Sequence, residues 1–158
     1  MKRHTTRPYN LIFPIWIFWM VPSLLWLLLP ANFLWDSLVL LAAAGWLRLQ
    51  GKKELWKHSI VKVWLIGFAA DFAGAALSLV VMLLLNTLLD SHIFDPYHFP
   101  GATLHAIPGV CLAGWLIWRL NRRYSFGKAD ISEAMAGRLS LLLAVFTAPY
   151  LMLLPMYH

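Results

Sequence analysis

One segment of the sequence, residues 67–78, is the basis for the predicted fold: Gly67-Phe68-Ala69-Ala70-Asp71-Phe72-Ala73-Gly74-Ala75-Ala76-Leu77-Ser78. It lies inside an apolar run over residues 59–89, which is long enough to cross a bilayer as a helix. Gly67, Asp71, Gly74 and Ser78 recur at helical spacing and therefore share one face of that helix. This combination of small residues with a lone carboxylate predicts a membrane span that packs closely against another span.

The composition of the whole chain also indicates an integral membrane protein. Of its 158 residues, 61% are hydrophobic and only 13% are charged, and the mean hydropathy is +0.68. A soluble domain carries about a quarter charged residues, so roughly half of the usual polar coat is missing. The net charge of +6 comes from basic residues in short loops between apolar runs. That placement favours contact with anionic lipid headgroups and argues against nucleic acid as a partner.

The apolar runs predict an all-α bundle of five transmembrane helices in a single membrane domain, residues 1–158. The predicted spans are residues 11–29, 33–49, 59–89, 102–120 and 134–154. A turn at Pro30-Ala31-Asn32 is expected to separate the first two spans. The predicted inner loops are residues 50–58 and 121–129, and the predicted outer loop is residues 90–101.

The distribution of basic residues predicts how this bundle is oriented. With five spans and the N-terminus inside, all 13 Lys and Arg residues fall on the inner side. If residues 33–49 did not cross, only Lys2, Arg3 and Arg7 would remain there. The positive-inside rule thus predicts an inner N-terminus and an outer C-terminus, in a bacterial cytoplasmic (inner or plasma) membrane. The basic residues expected to contact headgroups are Lys52, Lys53, Lys57, Arg122 and Arg123.

Asp71 is the first candidate functional residue. It lies ~18 Å along the helix from Ser59, close to the bilayer centre, where a charge costs at least about 2.5–3.5 kcal/mol. It should therefore face protein and have a partner. Arg138, ~12 Å along the last helix from Asp130, is the best candidate. Three roles remain open for Asp71: a structural ion pair, a carboxylate that couples to protons or cations, and a neutral hydrogen-bonded acid. If Arg138 instead extends to the inner headgroups, the coupling role gains weight.

Enzyme chemistry is not expected from the sequence. Asp36 and Asp71 are the acids within the predicted spans, and counting along the helices puts them at different depths. A carboxylate dyad of the intramembrane protease type is therefore not predicted. The chain also has no nucleophile elbow, no pair of zinc ligands on one helix and no Gly-rich phosphate loop.

Two faces of small residues are expected to pack the third and fourth spans together. They consist of Gly67, Ala70, Gly74 and Ser78 on one span and Ala106, Gly109 and Ala113 on the next. Close backbone approach through glycine and alanine is how membrane helices associate. The alternatives are a homo-oligomer or partner interface and a narrow permeation path.

A polar cluster is expected on the outer side of the bundle. Its members are Asn86, Asp90, His92, Asp95, His98 and His105. Imidazole and carboxylate groups suit zinc or nickel, with His92, His98 and His105 as the candidate ligands. Their spacing matches no compact ligand motif, so a solvated cap is favoured and no metal or cofactor is predicted. His105 is expected to hydrogen-bond Asn86 or Asp90.

These features together favour a non-enzymatic multi-pass protein. It would be a small integral subunit of a homo-oligomeric or larger membrane translocation or transport assembly. The alternative is a small ion- or proton-coupled transporter or channel that uses Asp71. The third possibility is an intramembrane enzyme or a binder of lipid or another hydrophobic ligand.

Overall fold

The computed structural model describes residues 13–89, 100–127 and 129–154. Within these ranges the chain is helical and contains no strand. Its four α-helices are α1 (Phe13–Trp46), α2 (Lys52–Leu89), α3 (Gly101–Leu120) and α4 (Glu133–Thr147). By contacts the chain divides into two compact units, Met1–Asn32 and Phe33–His158. The packing and the sites described below all belong to the second unit.

Three of the described helical segments are long and apolar enough to cross a membrane. They are Leu29–Trp46, Lys52–Leu88 and Thr103–Ser125, and the most apolar window, in the second of them, has a mean hydropathy of 2.2. The predicted all-α class is thus confirmed for the described residues. The predicted count of five spans is not supported.

The predicted turn at residues 30–32 is wrong, because all three residues are helical within α1. Pro30 removes one backbone donor, and no glycine follows it to reverse the chain. The chain turns instead after Trp46, where Arg48 and Gly51 have positive φ angles of 54° and 64°. Glycine adopts such an angle at little cost, which suits Gly51 to the start of α2.

The inner loop predicted over residues 50–58 is largely helical in the structure, because α2 begins at Lys52. The Lys57 ammonium lies 3.2 Å from the Glu54 carboxylate, a pairing that supports a first helical turn. Hydropathy marks where a helix enters lipid, and it does not mark where the helix begins. The first two turns of α2 therefore belong to the basic end of the bundle.

The fourth predicted span agrees with α3 to within one residue. Helix α3 then runs into a π-helical turn, Asn121–Ser125. The fully buried Asn121 stabilises this turn, because its Nδ2 donates to the Ile117 carbonyl at 2.9 Å and its Oδ1 accepts from Ser125 Oγ at 2.6 Å.

The helix in the region of the last predicted span, residues 134–154, is shorter than predicted and ends at Thr147. Helix α4 starts after Ser132, whose hydroxyl accepts from the backbone N–H of Met135 at 3.3 Å. It stops at Thr147 because Pro149 disfavours helical backbone at the preceding Ala148, which has ψ of 149°. A short 3-10 helix, Tyr150–Leu153, follows. At 15 residues, α4 is ~22 Å long, less than the ~30 Å hydrocarbon core.

The buried core joins the end of α1 to α2, α3 and α4. Its largest fully buried apolar side chains are Leu40, Ile117, Phe126, Leu139 and Leu143. Trp35 of α1 donates its Nε1–H to the Phe146 carbonyl at 3.0 Å, one of the last carbonyls of α4. The face of α1 that packs here also carries Asp36 into the protein.

Candidate intramembrane carboxylate site

Asp36 is a buried carboxylate on α1, with only 7% of its surface exposed. Its Oδ2 lies 3.5 Å from the point where a Cβ would stand on Gly67 of α2. The missing side chain of Gly67 therefore leaves room for the Asp36 carboxylate. Asp36 of α1 therefore packs against the small-residue face of α2, which already carries Asp71.

Asp71 lies one helical turn beyond Gly67 on the same face of α2. Side chains on a helix lean toward its N-terminus, so the Asp71 carboxylate lies over the turn that contains Gly67. The two carboxylates are close enough to interact electrostatically. Asp71 Oδ1 is buried and has no hydrogen-bond partner within the described residues. Asp36 and Asp71 therefore form one site, here called the carboxylate pair.

The prediction that the two acids lie at different depths is wrong. That count measured Asp36 from the outer end of a span beginning at residue 33, and it measured Asp71 from Ser59. Helix α1 begins 20 residues before residue 33, so residue 33 does not mark a bilayer surface. The packing of Asp36 against Gly67 shows that the Asp36 and Asp71 carboxylates lie near each other. The sequence alone therefore does not identify Asp36 as a neighbour of Asp71. The signal it does contain is Gly67, one helical turn before Asp71, which leaves room for a side chain from another helix.

The structure does not bring Arg138 to Asp71. The buried face of α4 consists of Ala136, Leu139, Ser140, Leu143 and Ala144. Arg138 falls outside this stripe and is exposed. None of the ion pairs between described residues includes Arg138, Asp36 or Asp71. Within the described part of the chain, the carboxylate pair has no basic partner.

Two buried hydroxyl groups near this region also lack partners. Most helical serines and threonines here donate to the carbonyl four residues earlier, as Ser140 does to Ala136 at 2.8 Å. Ser37, next to Asp36, and Ser78, two turns beyond Asp71, are buried and make no such bond. Their oxygens remain available to a bound water or cation.

The small-residue faces meet at the crossing of α2 and α3. Ala70, Gly74, Ser78, Ala106, Gly109 and Ala113 are all buried there, and Gly67 is half-buried. A Cβ on Gly74 would lie only 2.6 Å from the Gly109 carbonyl oxygen. A Cβ on Gly109 would collide with the Gly74 carbonyl and the Ser78 hydroxyl. This contact lies within one chain and holds α2 in place beside the carboxylate pair.

Most of the predicted outer polar cluster lies outside the described residues, namely Asp90, His92, Asp95 and His98. Asn86 is exposed, and the half-buried His105 bonds through Nδ1 to the Gly101 carbonyl at 2.8 Å. The predicted bond from His105 to Asn86 is not among the hydrogen bonds of the described residues, and the alternative partner Asp90 lies outside them. No group of three metal-ligating side chains occurs among the described residues.

The basic residues predicted to contact headgroups are exposed in the structure: Lys52, Lys53, Lys57, Arg122 and Arg123. Three of them have protein partners, and one is Lys57, which pairs with Glu54 at 3.2 Å. Arg122 lies 3.8 Å from the Glu133 carboxylate, and the Arg123 guanidinium stands 5.7 Å from the centre of the Tyr124 ring. Exposed pairs of this kind contribute little to stability, so these side chains are free to contact lipid.

The chemistry of the carboxylate pair follows from its surroundings. Two neighbouring carboxylates in a poorly solvated site repel each other when both are ionised, so such a site favours a shared proton or a bound cation. No protein-family model, curated protein or solved structure matches this chain. The functional interpretation therefore depends on the chemistry of the site.

Proposed function

We propose that this chain is a small multi-pass membrane transport protein in which Asp36 and Asp71 bind and release a proton or a monovalent cation. The proposal rests on two neighbouring carboxylates, the buried Asp36 and the half-buried Asp71, with no basic partner among the described residues. An ionisable residue inside a membrane is costly, and where it persists it commonly marks an ion or proton path.

No Lys or Arg among the described residues pairs with Asp36 or Asp71, and this favours a site that exchanges protons or cations over a structural ion pair. An ion pair would satisfy both charges permanently and would leave nothing to exchange. A carboxylate pair changes its proton or cation content whenever the surroundings change. The unpartnered oxygen of Asp71 supplies an additional ligand for such exchange.

We further propose that the protein works within an oligomer or a larger transport assembly. The described residues supply three long apolar helices, together with α4, which is too short to cross the hydrocarbon core alone. So few crossing helices enclose little space around a permeating ion. Copies of the chain or other membrane subunits would complete the enclosure.

The proposed orientation puts the turn after Trp46 and the π-helical turn on the cytoplasmic side of a bacterial inner or plasma membrane. Both regions are basic, and α2 and α3 connect them through two crossings, so they share a side. Two crossings by residues 11–49 would add the N-terminus to that side, as the sequence predicts, but they would require a break in the continuous helix α1. One crossing would put the N-terminus on the other side. Labelling a cysteine at Thr5 from each side of the membrane distinguishes these arrangements.

Proton flux into liposomes tests the proposed role. Purified protein is reconstituted around a pH-sensitive dye, and a potassium gradient with an ionophore drives proton entry. We expect flux above that of empty liposomes from the native chain, and little from Asp36→Asn or Asp71→Asn. The matched control is Glu133→Gln, which removes an exposed acid outside the pair and should leave flux unchanged.

Sodium and potassium uptake measured in the same liposomes distinguishes a metal cation from a proton. Every variant is first checked by size-exclusion chromatography, so that loss of flux is not confused with loss of fold. Native-level transport by folded Asp36→Asn and Asp71→Asn protein would exclude the pair as the coupling site.

A second candidate function is hydrolysis of a peptide bond within the membrane. Two acids that share a proton also form the catalytic group of aspartic proteases, and the structure brings two acids together. Cleavage of a transmembrane peptide by the native chain, abolished in Asp36→Asn, would favour this function over transport.

A further inference from the structure

A second polar site lies at the basic end of the molecule, away from the carboxylate pair. It is a cleft of about 530 Å³ between the first turns of α2 and the segment after the π-helical turn. Its charged lining residues are Glu54, His58 and Lys62 on one wall and Asp130 on the other. The cleft therefore combines cationic and anionic side chains in one concave surface.

Lys62 and Asp130 are the charges in this cleft that no described residue neutralises. Glu54 already lies near Lys57 and His58, at 3.2 Å and 3.9 Å. Lys62 and Asp130 are exposed, and neither belongs to an ion pair between described residues. Although they line the same cleft, they do not bond to each other. A ligand carrying a negative and a positive group at separate positions would satisfy both.

The depth of the cleft identifies where such a ligand would come from. With Asp71 near mid-membrane, as the sequence predicts, Lys62 lies nine residues, or ~13 Å, toward the basic end of α2. Half of a ~30 Å hydrocarbon core is ~15 Å, so the backbone of Lys62 lies near the edge of the core and its long side chain extends to the level of the lipid phosphates. Glu54 lies two further helical turns out, toward water. Leu55 and Ile131 give the cleft an apolar edge.

We propose that this cleft binds the phosphoethanolamine headgroup of a membrane phospholipid. The phosphate contacts Lys62, and the primary amine contacts Asp130 on the opposite wall and Glu54, which lies two helical turns nearer to water. This order of charges matches a phospholipid, in which the phosphate lies nearer the acyl chains than the amine does. A quaternary amine cannot donate hydrogen bonds to the two carboxylates, so phosphatidylcholine should bind less well.

Lipid retention measured by native mass spectrometry tests the assignment. Detergent-solubilised protein is titrated with phosphatidylethanolamine, phosphatidylcholine or phosphatidylglycerol of identical acyl chains. We expect the native chain to bind phosphatidylethanolamine about tenfold more tightly than phosphatidylcholine. Asp130→Asn should remove most of this preference. Lys62→Met should weaken both zwitterionic lipids about tenfold, and Lys62→Arg should retain them.

Arg119→Met is the control, because Arg119 is an exposed basic residue that does not line the cleft. Equal loss of binding in Arg119→Met and Lys62→Met would overturn the proposal, because it would show a general charge effect. Equal binding of all three lipids by the native chain would also overturn it. Soluble phosphoethanolamine is added as a competitor, and displacement at concentrations comparable with the lipid would overturn the assignment to a membrane lipid.

Discussion

The crossing of α2 and α3 gives the sharpest test of the packing, through the substitution Gly109→Ala. A Cβ at this position would collide with the Gly74 carbonyl and with the Ser78 hydroxyl. Ser78 can rotate its side chain away, but the Gly74 carbonyl is part of the helix backbone. The two helices must therefore move apart to admit the methyl group.

The expected cost can be worked from two opposing effects. Overpacking of a tightly packed contact costs about 3 kcal/mol at the upper end of its usual range. Replacing glycine by alanine within a helix returns about 1 kcal/mol. The net loss for Gly109→Ala is thus about 2 kcal/mol, or a change of about 30-fold in the unfolding equilibrium.

Gly114→Ala is the matched control on the same helix. A Cβ there would meet only Ala148 Cβ, at 3.9 Å, which is ordinary van der Waals contact. This variant should be up to about 1 kcal/mol more stable than the native chain. Reversible unfolding in mixed micelles with increasing SDS measures both free energies. A Gly109→Ala protein as stable as Gly114→Ala would refute the close crossing.

Three further changes test other contacts in the same unfolding assay. Trp35→Phe removes the bond to the Phe146 carbonyl and should cost about 0.5–1.5 kcal/mol, whereas no change would show that α1 is not tied to α4 there. Asn121→Ala leaves the buried Ser125 hydroxyl without its acceptor and should cost about 1–3 kcal/mol; a neutral result would contradict the packing of the π-helical turn. Arg138→Gln should change stability by less than about 0.5 kcal/mol, because the side chain is exposed, and a loss of several kcal/mol would indicate a buried ion pair.

The membrane class and the helix-rich architecture were predictable because they depend on composition and on the length of apolar runs. The small-residue stripe over residues 67–78 likewise indicated close packing with the helix around Gly109. Helix ends were less predictable. The start of α2 at Lys52 lies in polar sequence that hydropathy assigns to a loop, and Pro149 ended α4 inside an apolar run.

The carboxylate pair was not predictable for a different reason. Its formation depends on which part of α1 packs on Gly67, and that alignment is a property of tertiary packing. The same uncertainty made Arg138 look like a partner for Asp71. Counting residues along the last helix estimates how far Arg138 lies along the helix axis. Whether its side chain faces the protein depends on which face of α4 is buried, and Arg138 lies outside that face.

Counting bound protons shows whether Asp36 and Asp71 act as one unit. Proton uptake by the purified protein is measured during a pH jump for the native chain, Asp36→Asn, Asp71→Asn and the double variant. Two acids that share a proton titrate in two steps, and the pH jump spans only the upper step, in which the shared proton binds. A remaining acid without a charged neighbour binds its proton below this step, so each single variant should lose nearly the whole uptake that the double variant loses. Losses in the two single variants that simply add up to the loss in the double variant would show two independent acids and would contradict the claim.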